Sequence, residues 1–380
     1  MKAFASLSLS KAPALLVGIV ILAALTRFLF INSVPVSLYW DEVSEGYNSY
    51  SILHTGKDEW GREFPLLFRA FDDDKMPANI YLSTVPIALF GLNEFSVRFT
   101  SGLSGVLSVV FTYLVIRELF SYFKKPKEGR LIGLISAFLL AITPWHIIFS
   151  RTGFEANVAF CFSIVGTYLL IRGLVSSKYF YFAFLVFAIN FYLYRSSVVF
   201  VPAFLLSFIG IFSNELKTQT LRKPFVISFV LAIVLISPLL INWAQHGDVR
   251  TQQVDVFDNT TETVSKAADA RIKAGDSAVA KIIYNRRIIY VENIVGNYVS
   301  HFSPRYLFFA GDGNPRHSVK DRGLLYAWEL PFIVIGLGLF TKKIGRYFLF
   351  CAAGYSQRQS QQVLVSHRRM HFVHCLWLCL

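Results

Sequence analysis

Residues 12–31 read APALLVGIVILAALTRFLFI, and Tyr39-Trp40-Asp41-Glu42 follows shortly after them. The first stretch holds about 20 predominantly apolar residues, the length that crosses a bilayer. Two carboxylates therefore lie where the first span gives way to water. A charge in the hydrocarbon costs roughly 2.5–3.5 kcal/mol, so ionisable groups at membrane depth commonly carry function. The alternative is that Asp41 and Glu42 merely open a solvated loop, and the pair alone leaves both interpretations standing.

The composition is that of a polytopic membrane protein, since 54% of the 380 residues are hydrophobic and the mean hydropathy is +0.49. We expect an all-α fold with juxtamembrane helices on the outer face. Residues 78–92 are apolar but short and contain Pro86, which favours an interfacial helix. Spans are predicted at 12–31, 99–120, 131–149, 156–173, 179–194, 198–213, 225–243 and 325–341.

The distribution of basic residues predicts the orientation of these spans. Lys and Arg concentrate in segments such as 124–130, which are cytoplasmic when the N-terminus is inside. The first outer loop, 32–98, instead carries ten acidic against five basic residues. We therefore expect a multi-pass protein of the plasma (inner) membrane with a cytoplasmic N-terminus. The net charge of +13 is assigned to topology and anionic-lipid contact, and no nucleic-acid partner is expected.

Two long polar segments, 32–98 and 244–324, are the expected outer loops of one transmembrane module covering 1–350. The first span is expected to be an uncleaved anchor, because further spans follow it. The apolar pattern stops after Phe350, and residues 351–380 are atypical of such a module. A frameshift near 352–356 or a truncation is the hypothesis for this tail, and an ordinary cytoplasmic tail is the alternative.

Charged and polar residues gather on the expected outer face. Asp41 and Glu42 follow the first span, Lys75 opens the interfacial helix, and Arg98 lies at the mouth of the second span. The candidate site residues are Asp41, Glu42, Lys75, Arg98, Arg151, Glu155, Tyr194, Arg316 and His317. We expect a site between lipid and water at this face.

These residue types suit transfer from a phosphate-linked donor to a hydroxyl. A carboxylate can remove the hydroxyl proton, which contributes typically 10²–10⁴-fold. Cations beside the departing phosphate stabilise its charge, and losing one well-placed donor costs about 2.7–4 kcal/mol in comparable sites. Phosphate is already a good leaving group, so one base and several cations are expected instead of the carboxylate pair of soluble glycosidases.

Each residue also has a simpler structural interpretation. Lys75 could snorkel to lipid headgroups, and His317 could cap a turn. Arg151 and Glu155 have the i,i+4 spacing of a helix pair. Tyr194 could belong to an aromatic belt at the membrane surface. The conjunction of these residues on one face is what favours a functional site.

No metal site is expected from the sequence. The acidic run at 72–74 admits a divalent-metal interpretation, but a solvated surface run is favoured. Cys161 lies within a predicted span, and the other cysteines lack metal-ligand spacing.

The order of several motifs relative to the spans carries a family resemblance. They are Trp40-Asp41-Glu42, Lys75-Met76-Pro77, Glu94-Phe95-Ser96-Val97-Arg98-Phe99, Pro144-Trp145-His146 with Ser150-Arg151 and Glu155, and Phe302-Ser303-Pro304 with Gly311-Asp312, Arg316-His317 and Glu329-Leu330-Pro331. Over about residues 10–350 the chain resembles the membrane-embedded GT-C glycosyltransferases. It is most similar to the family 39 type, which includes protein O-mannosyltransferases and bacterial aminoarabinose transferases acting on lipid A. Met76 departs from the more usual proline after the lysine.

The resemblance implies a GT-C-type helical bundle and an inverting transferase that uses a polyprenyl-phosphate-linked sugar. It implies Asp41 as catalytic base and Lys75 as a ligand of the donor phosphate. We further expect Glu42 to orient Asp41. The phosphate is expected to lie near Lys75, Arg98 and Arg316 or His317, whereas Arg151, Glu155 and Tyr194 are structural or acceptor-side candidates.

Several assignments stay open at this point. The acceptor is a protein hydroxyl, lipid A or a wall glycan, and the lipid-linked sugar is the only co-substrate expected. A related oligosaccharyltransferase or glycan polymerase is one rival. A multi-pass transporter or lipid flippase is another, although transporters tend to place charges near the bilayer midplane. An inactive truncated transferase is the third.

Overall fold

The structure is a computed structural model, and it describes residues 11–71, 73–246, 260–275 and 277–338. The predicted tail at 351–380 and the end of the span predicted at 325–341 lie outside these ranges. Helices dominate the described residues, so the all-α expectation is confirmed. The exception is a hairpin of two three-residue strands, β1 (Phe68–Ala70) and β2 (Asp73–Lys75).

The elements follow one another along the chain with short connections. They are α1 (Ala12–Phe28), α2 (Trp40–Thr55), β1 (Phe68–Ala70), β2 (Asp73–Lys75), α3 (Pro77–Phe90), α4 (Glu94–Tyr122), α5 (Pro126–Ile142), α6 (Pro144–Arg151), α7 (Glu155–Gly173), α8 (Tyr179–Phe191), α9 (Ser197–Ile211), α10 (Ser213–Leu216), α11 (Gln219–His246), α12 (Thr260–Lys273), α13 (Ala278–Ile283), α14 (Arg286–Ser300), a π-helical turn (Arg305–Ala310) and a 3₁₀ turn (Ala327–Glu329).

The chain divides into two compact units. Unit 1 contains α1–α10 and most of α11, and unit 2 contains most of the hairpin together with α12–α14 and the loop that follows them. The predicted site residues are divided between the units, because Lys75, Arg316 and His317 belong to unit 2 and the others to unit 1.

Among the described residues, α4, α7 and α11 are long and apolar enough to cross a membrane. The spans predicted at 99–120, 156–173 and 225–243 lie within these helices. Other predicted spans form shorter apolar helices: α1 ends at Phe28 instead of Ile31, and α8 has only 13 residues. The short helix expected at 78–92 is present as α3, which ends at Phe90 and contains Pro86.

The span predicted at 131–149 is not one continuous helix. It is broken between α5 and α6, whose axes differ by 58°. Pro144 has no N–H for the carbonyl of Leu140, one turn earlier, so that acceptor loses its helical partner. The guanidinium of Arg27, fully buried, donates to Leu140 O at 3.2 Å and Ala141 O at 3.0 Å. Its Nη2 also lies 2.6 Å from His146 Nδ1.

Helix α4 is the centre of unit 1 and contacts α1, α3, α5, α6 and α7. A buried stripe of small residues makes these close contacts feasible, because small side chains let helix backbones approach one another. Gly105 is the tightest position: a Cβ there would lie 2.7 Å from Ser150 Cβ. The stripe comprises Ser101, Gly102, Ser104, Gly105 and Ser108. It brings the N-terminal end of α4 close to the last turn of α6.

Candidate active site

The acidic pair predicted from the sequence forms the first turn of α2. Tyr39 is the N-cap, and its backbone N–H donates to Glu42 Oε2 at 3.1 Å. This capping bond satisfies one N–H that the helix itself cannot pair. Asp41 and Glu42 both lie at the positive end of the helix dipole, which favours carboxylates there. Asp41 remains half-buried, whereas Glu42 is enclosed.

Glu42 and Arg98 form an ion pair that is shut off from water. Arg98 Nε donates to Glu42 Oε1 at 2.9 Å, and the two side chains are 0% and 1% exposed, respectively. The same carboxylate oxygen accepts the Gly153 N–H at 2.9 Å. Glu42 therefore joins the start of α2, the start of α4 and the break between α6 and α7.

The remaining N–H groups of Arg98 are directed at backbone carbonyls. Nη1 donates to Ile31 O at 2.7 Å and Pro35 O at 3.0 Å, and Nη2 donates to Ser37 O at 2.9 Å. A second Nη2 contact reaches Glu42 Oε2 at 3.5 Å. A guanidinium has five N–H donors, and each of these donors points at a protein oxygen. Arg98 thus fixes the linker between α1 and α2.

Arg151 holds the same linker from α6. Its Nη1 donates to Thr26 O at 2.9 Å, and its Nη2 and Nε donate to Val34 O at 2.8 and 3.2 Å. The simple helix pair of Arg151 with Glu155 is wrong, because α6 ends at Arg151 and α7 begins at Glu155. The intervening break supplies the Gly153 N–H to Glu42.

Tyr39 lies within electrostatic reach of several carboxylates. Its ring contacts Phe154, with ring centroids 5.2 Å apart. Burial raises the pKa of the Tyr39 phenol, and Glu45, Glu155, Asp41 and Glu42 raise it further by repelling the phenolate. The phenol is consequently a neutral proton donor at physiological pH. Asp41 and Glu155, predicted from the sequence as site residues, are thereby brought close to one side chain.

Glu45 and Asn79 are site residues that the sequence analysis missed. Glu45 is one helical turn after Asp41, so both lie on one face of α2. Asn79 Nδ2 donates to Glu45 Oε2 at 2.5 Å, and the two residues are 4% and 5% exposed. Because a carboxylate only accepts, the amide must present its nitrogen to Glu45. Asn79 Oδ1 then has no hydrogen-bond partner among the residues that the structure describes. The i,i+4 spacing from Asp41 was the available signal.

Tyr194 lies beside the start of α3. It packs with Ala78 against the buried cluster of Val158, Ala159 and Leu193. The Ala78 N–H donates to Tyr192 O at 2.9 Å, which ties the segment after α8 to the first turn of α3. Tyr194 therefore helps fix the helix that carries Asn79.

The predicted phosphate ligands of unit 2 lie on a turn-rich loop and on the hairpin. His317 Nδ1 lies 2.8 Å from Asp312 Oδ2, and Asn314 Oδ1 accepts from Arg316 Nε at 3.2 Å. Partial burial would raise the pKa of Asp312, but hydrogen bonds from the Asn314 N–H and from His317 outweigh it and hold the pKa below its ordinary value. Lys75 ends β2 and is 9% exposed.

Within 11–71, 73–246, 260–275 and 277–338, no group of three or more His, Cys, Asp or Glu side chains is arranged to hold a metal ion. The carboxylates near Tyr39 come from α2 and α7 and serve hydrogen bonds and charge repulsion instead. The local arrangement in unit 1 can thus accept a proton, repel anions and hold a rigid helix start.

Several known proteins match part or most of this chain. The family model for dolichyl-phosphate-mannose-protein mannosyltransferase matches residues 74–243. YkcB of Bacillus subtilis (strain 168), provisionally named a mannosyltransferase, is 28% identical over 173 residues, which are 45% of this chain and 22% of YkcB. YycA of the same organism, named in the same way, is 26% identical over 196 residues, 50% of this chain and 26% of YycA.

The matches thus span about a quarter of the length of these curated relatives. Among solved structures, an Archaeoglobus fulgidus oligosaccharyltransferase in complex with zinc and sulfate has a TM-score of 0.48 at 14% identity, covering 94% of this chain and 47% of that chain. The matched family segment contains Lys75, Arg98 and Glu155, and it begins after Asp41. The resemblance to the GT-C membrane glycosyltransferases inferred from the sequence is confirmed.

Proposed function

We propose that this GT-C-type membrane protein moves a sugar from a polyprenyl-phosphate-linked donor to an acceptor hydroxyl, with inversion at the anomeric carbon. The observation that carries the proposal is the difference in surroundings between the two adjacent carboxylates at the start of α2. Glu42 is locked to Arg98, Gly153 and Tyr39 and is 1% exposed, whereas its neighbour Asp41 is half-buried. The family match supports glycosyl transfer as the reaction class.

Asp41 is the proposed catalytic base. Its carboxylate removes the acceptor hydroxyl proton while the oxygen attacks the anomeric carbon from the face opposite the phosphate, a contribution of typically 10²–10⁴-fold. Glu42 positions Asp41 by fixing the first turn of α2. The neighbouring negative charge of Glu45 and Glu155 favours an approaching hydroxyl over an anionic ligand at this spot.

The donor phosphate is assigned to cations of unit 2. Lys75, Arg316 and His317 stabilise the charge that develops as the polyprenyl phosphate leaves, and each such donor is worth about 2.7–4 kcal/mol in comparable sites. Arg98, expected from the sequence to share this role, is assigned to the framework instead, because its N–H groups are directed at Glu42 and at linker carbonyls. No general acid is needed for a phosphate leaving group.

The acceptor side is assigned to Glu155, at the start of α7, and to Tyr194, which packs with Ala78 of α3 against α7. Arg151 acts at a distance by holding the linker carbonyls. No metal cofactor is proposed. The lipid-linked sugar is the sole co-substrate, and the acceptor is a hydroxyl of a protein, of lipid A or of a wall glycan.

The proposed location is the plasma (inner) membrane, with the N-terminus in the cytoplasm and the site on the outer face. Basic residues at 124–130, at 217–223 and at 342–346 support this orientation under the positive-inside rule. The acidic excess of 32–98 agrees with an outer loop.

A transfer assay tests the proposal. Membranes containing the full chain are incubated with radiolabelled polyprenyl-phosphate sugars, and label released from the lipid is counted. Wild type is expected to release label, and Asp41→Asn to lose 10²-fold or more. The matched control is Glu63→Gln, an equal charge change in a surface ion pair with Lys57, which should keep wild-type transfer. Full transfer by Asp41→Asn would refute the base assignment, and no release from any donor would refute the reaction class.

A further inference from the structure

The side chain of Asn79 is enclosed within unit 1, but only one end of its amide is paired. The residue is 4% exposed, and its Nδ2 donates to Glu45 Oε2 at 2.5 Å. Because a carboxylate only accepts hydrogen bonds, the amide oxygen Oδ1 must point away from Glu45. Within the part of the chain that the structure describes, this oxygen is buried and accepts no hydrogen bond. Buried acceptors in native proteins are nearly always paired, so Oδ1 marks a place where a donor is needed.

The backbone on both sides of Asn79 is fixed. The Ala78 N–H donates to Tyr192 O at 2.9 Å. Ile80 O accepts from Ser49 Oγ at 2.8 Å, and Ser49 lies on α2 and is 0% exposed. The first turn of α3 is therefore held from two directions, and the position of the amide is set before any ligand binds.

Asn79 lies on the donor side of the proposed reaction. It is in the first turn of α3, four residues along the chain from Lys75, the proposed phosphate ligand. Its partner Glu45 is one turn, about 6 Å, along α2 from the base Asp41. The transferred sugar is bonded to the phosphate, and its anomeric carbon meets the oxygen that Asp41 deprotonates. Its hydroxyls are thereby brought to the face of α2 that carries Glu45.

We propose that Asn79 is a specificity-determining residue whose Oδ1 accepts a hydrogen bond from one hydroxyl of the donor sugar. This role rests on the proposed function and adds the chemistry that the site selects. A hydroxyl supplies the O–H donor that Oδ1 needs, whereas an esterified or deoxygenated position does not. Ligand pockets typically contain a small number of precisely placed polar groups that fix orientation and specificity. The site therefore selects a sugar that carries a hydroxyl at this position.

Deoxygenated donors test this role. The probes are the polyprenyl-phosphate hexose or pentose that wild type uses in the transfer assay and analogues of that donor that each lack one sugar hydroxyl. Membranes containing the full chain are incubated with each probe, and kcat/KM is measured. The ratio of kcat/KM between parent donor and analogue is the readout, because a general loss of folded protein lowers transfer from all donors alike.

Wild type is expected to use one analogue at least about 10-fold less well than the parent donor. Asn79→Ala should lose most of this discrimination, because no acceptor remains for the hydroxyl. Ser83→Ala is the matched control, since it removes a buried polar group one turn further along α3. It should retain the wild-type ratio for every analogue.

Glu45→Gln is a second variant that keeps the size of the side chain. Its amide supplies an N–H to Asn79 Oδ1, so discrimination is expected to fall here as well. Wild-type ratios for every analogue in Asn79→Ala, or in Glu45→Gln where Asn79→Ala does not fold, would overturn the role of Asn79. Wild-type transfer that discriminates against no analogue would overturn it too, while leaving the proposed function intact. No transfer from any donor would refute the reaction class and this role with it.

Discussion

Two side-chain pairs that include a carboxylate, one in each unit, lie in opposite surroundings. Glu42 and Arg98 are 1% and 0% exposed, and their polar atoms are directed at each other and at the backbone. Asp312 and His317 are 32% and 35% exposed and lie on a loop. A buried pair is costly to desolvate and is retained when many partners satisfy it, whereas an exposed pair is worth little to stability. Burial therefore distinguishes the Glu42–Arg98 pair, which holds the framework of unit 1, from the Asp312–His317 pair on its loop.

The largest expected effect is on the buried pair. Arg98→Met would leave Glu42 as an uncompensated buried charge and would orphan the carbonyls of Ile31, Pro35 and Ser37. We expect a loss of about 3–5 kcal/mol in the free energy of unfolding. The unfolding midpoint in detergent, followed by intrinsic fluorescence, measures it.

Arg151→Met is the matched control for that prediction. It removes an arginine of α6 that donates to the same linker, but Arg151 is only half-buried and donates here to the carbonyls of Thr26 and Val34. A loss of about 1 kcal/mol is expected, at the low end for orphaned acceptors. If Arg98→Met unfolds no earlier than Arg151→Met, the framework role of Arg98 is wrong.

A smaller effect is expected inside the carboxylate group. Asn79→Ala removes a charge-assisted hydrogen bond from buried Glu45, which costs roughly 1.5–3 kcal/mol. Transfer is expected to fall along with stability, because α2 and α3 are tied together at this contact. Ser83→Ala provides the comparison, since this buried hydroxyl lies one turn further along α3 and bonds to Thr100. Equal stability of Asn79→Ala and wild type would contradict the account.

The smallest effect concerns the exposed pair and depends on pH. The pKa of Asp312 is held below its ordinary value, so its contribution to stability is present above about pH 4, the unfolded value. It is lost as pH falls through the lower folded pKa. Hydrogen exchange of residues 307–325, corrected for intrinsic rates, should be faster in Asp312→Asn than in wild type at pH 7, and the difference should vanish in acid.

Asp321→Asn serves as control for the pH series, because Asp321 is an exposed carboxylate in the same loop. It should exchange like wild type at every pH. A difference between Asp312→Asn and wild type that persists unchanged to pH 2 would show that the ion pair does not order the loop.

The sequence was sufficient for the long helices and for the order of the motifs. The span predicted at 156–173 appears as a helix that begins one residue earlier, at Glu155, whereas the helix predicted at 99–120 extends to Glu94 and Tyr122. The break at Pro144 was missed because an apolar run remains apolar across a kink. Arg27, a charge within the first span, went unassigned, although its carbonyl ligands explain that break.

The sequence predicted which residues form the candidate site better than it predicted the role of each residue. Asp41, Glu42 and Arg98 were placed on one face, but the partners of Arg98 are mostly backbone carbonyls. Every residue has a carbonyl, so no residue type marks where an arginine will find one. The pairing of Glu45 with Asn79 was missed for a related reason, since it joins two helices whose relative placement a sequence does not state.

The central claim is that the two adjacent carboxylates have different roles. Asp41 is the catalytic base, and Glu42 stabilises the fold around it. Unfolding midpoint and sugar transfer, measured on the same preparations of Asp41→Asn and Glu42→Gln, test it directly. We predict that Asp41→Asn keeps the wild-type midpoint and loses transfer at least 10²-fold, whereas Glu42→Gln lowers the midpoint markedly. Wild-type transfer by Asp41→Asn, or a wild-type midpoint for Glu42→Gln, would contradict the claim.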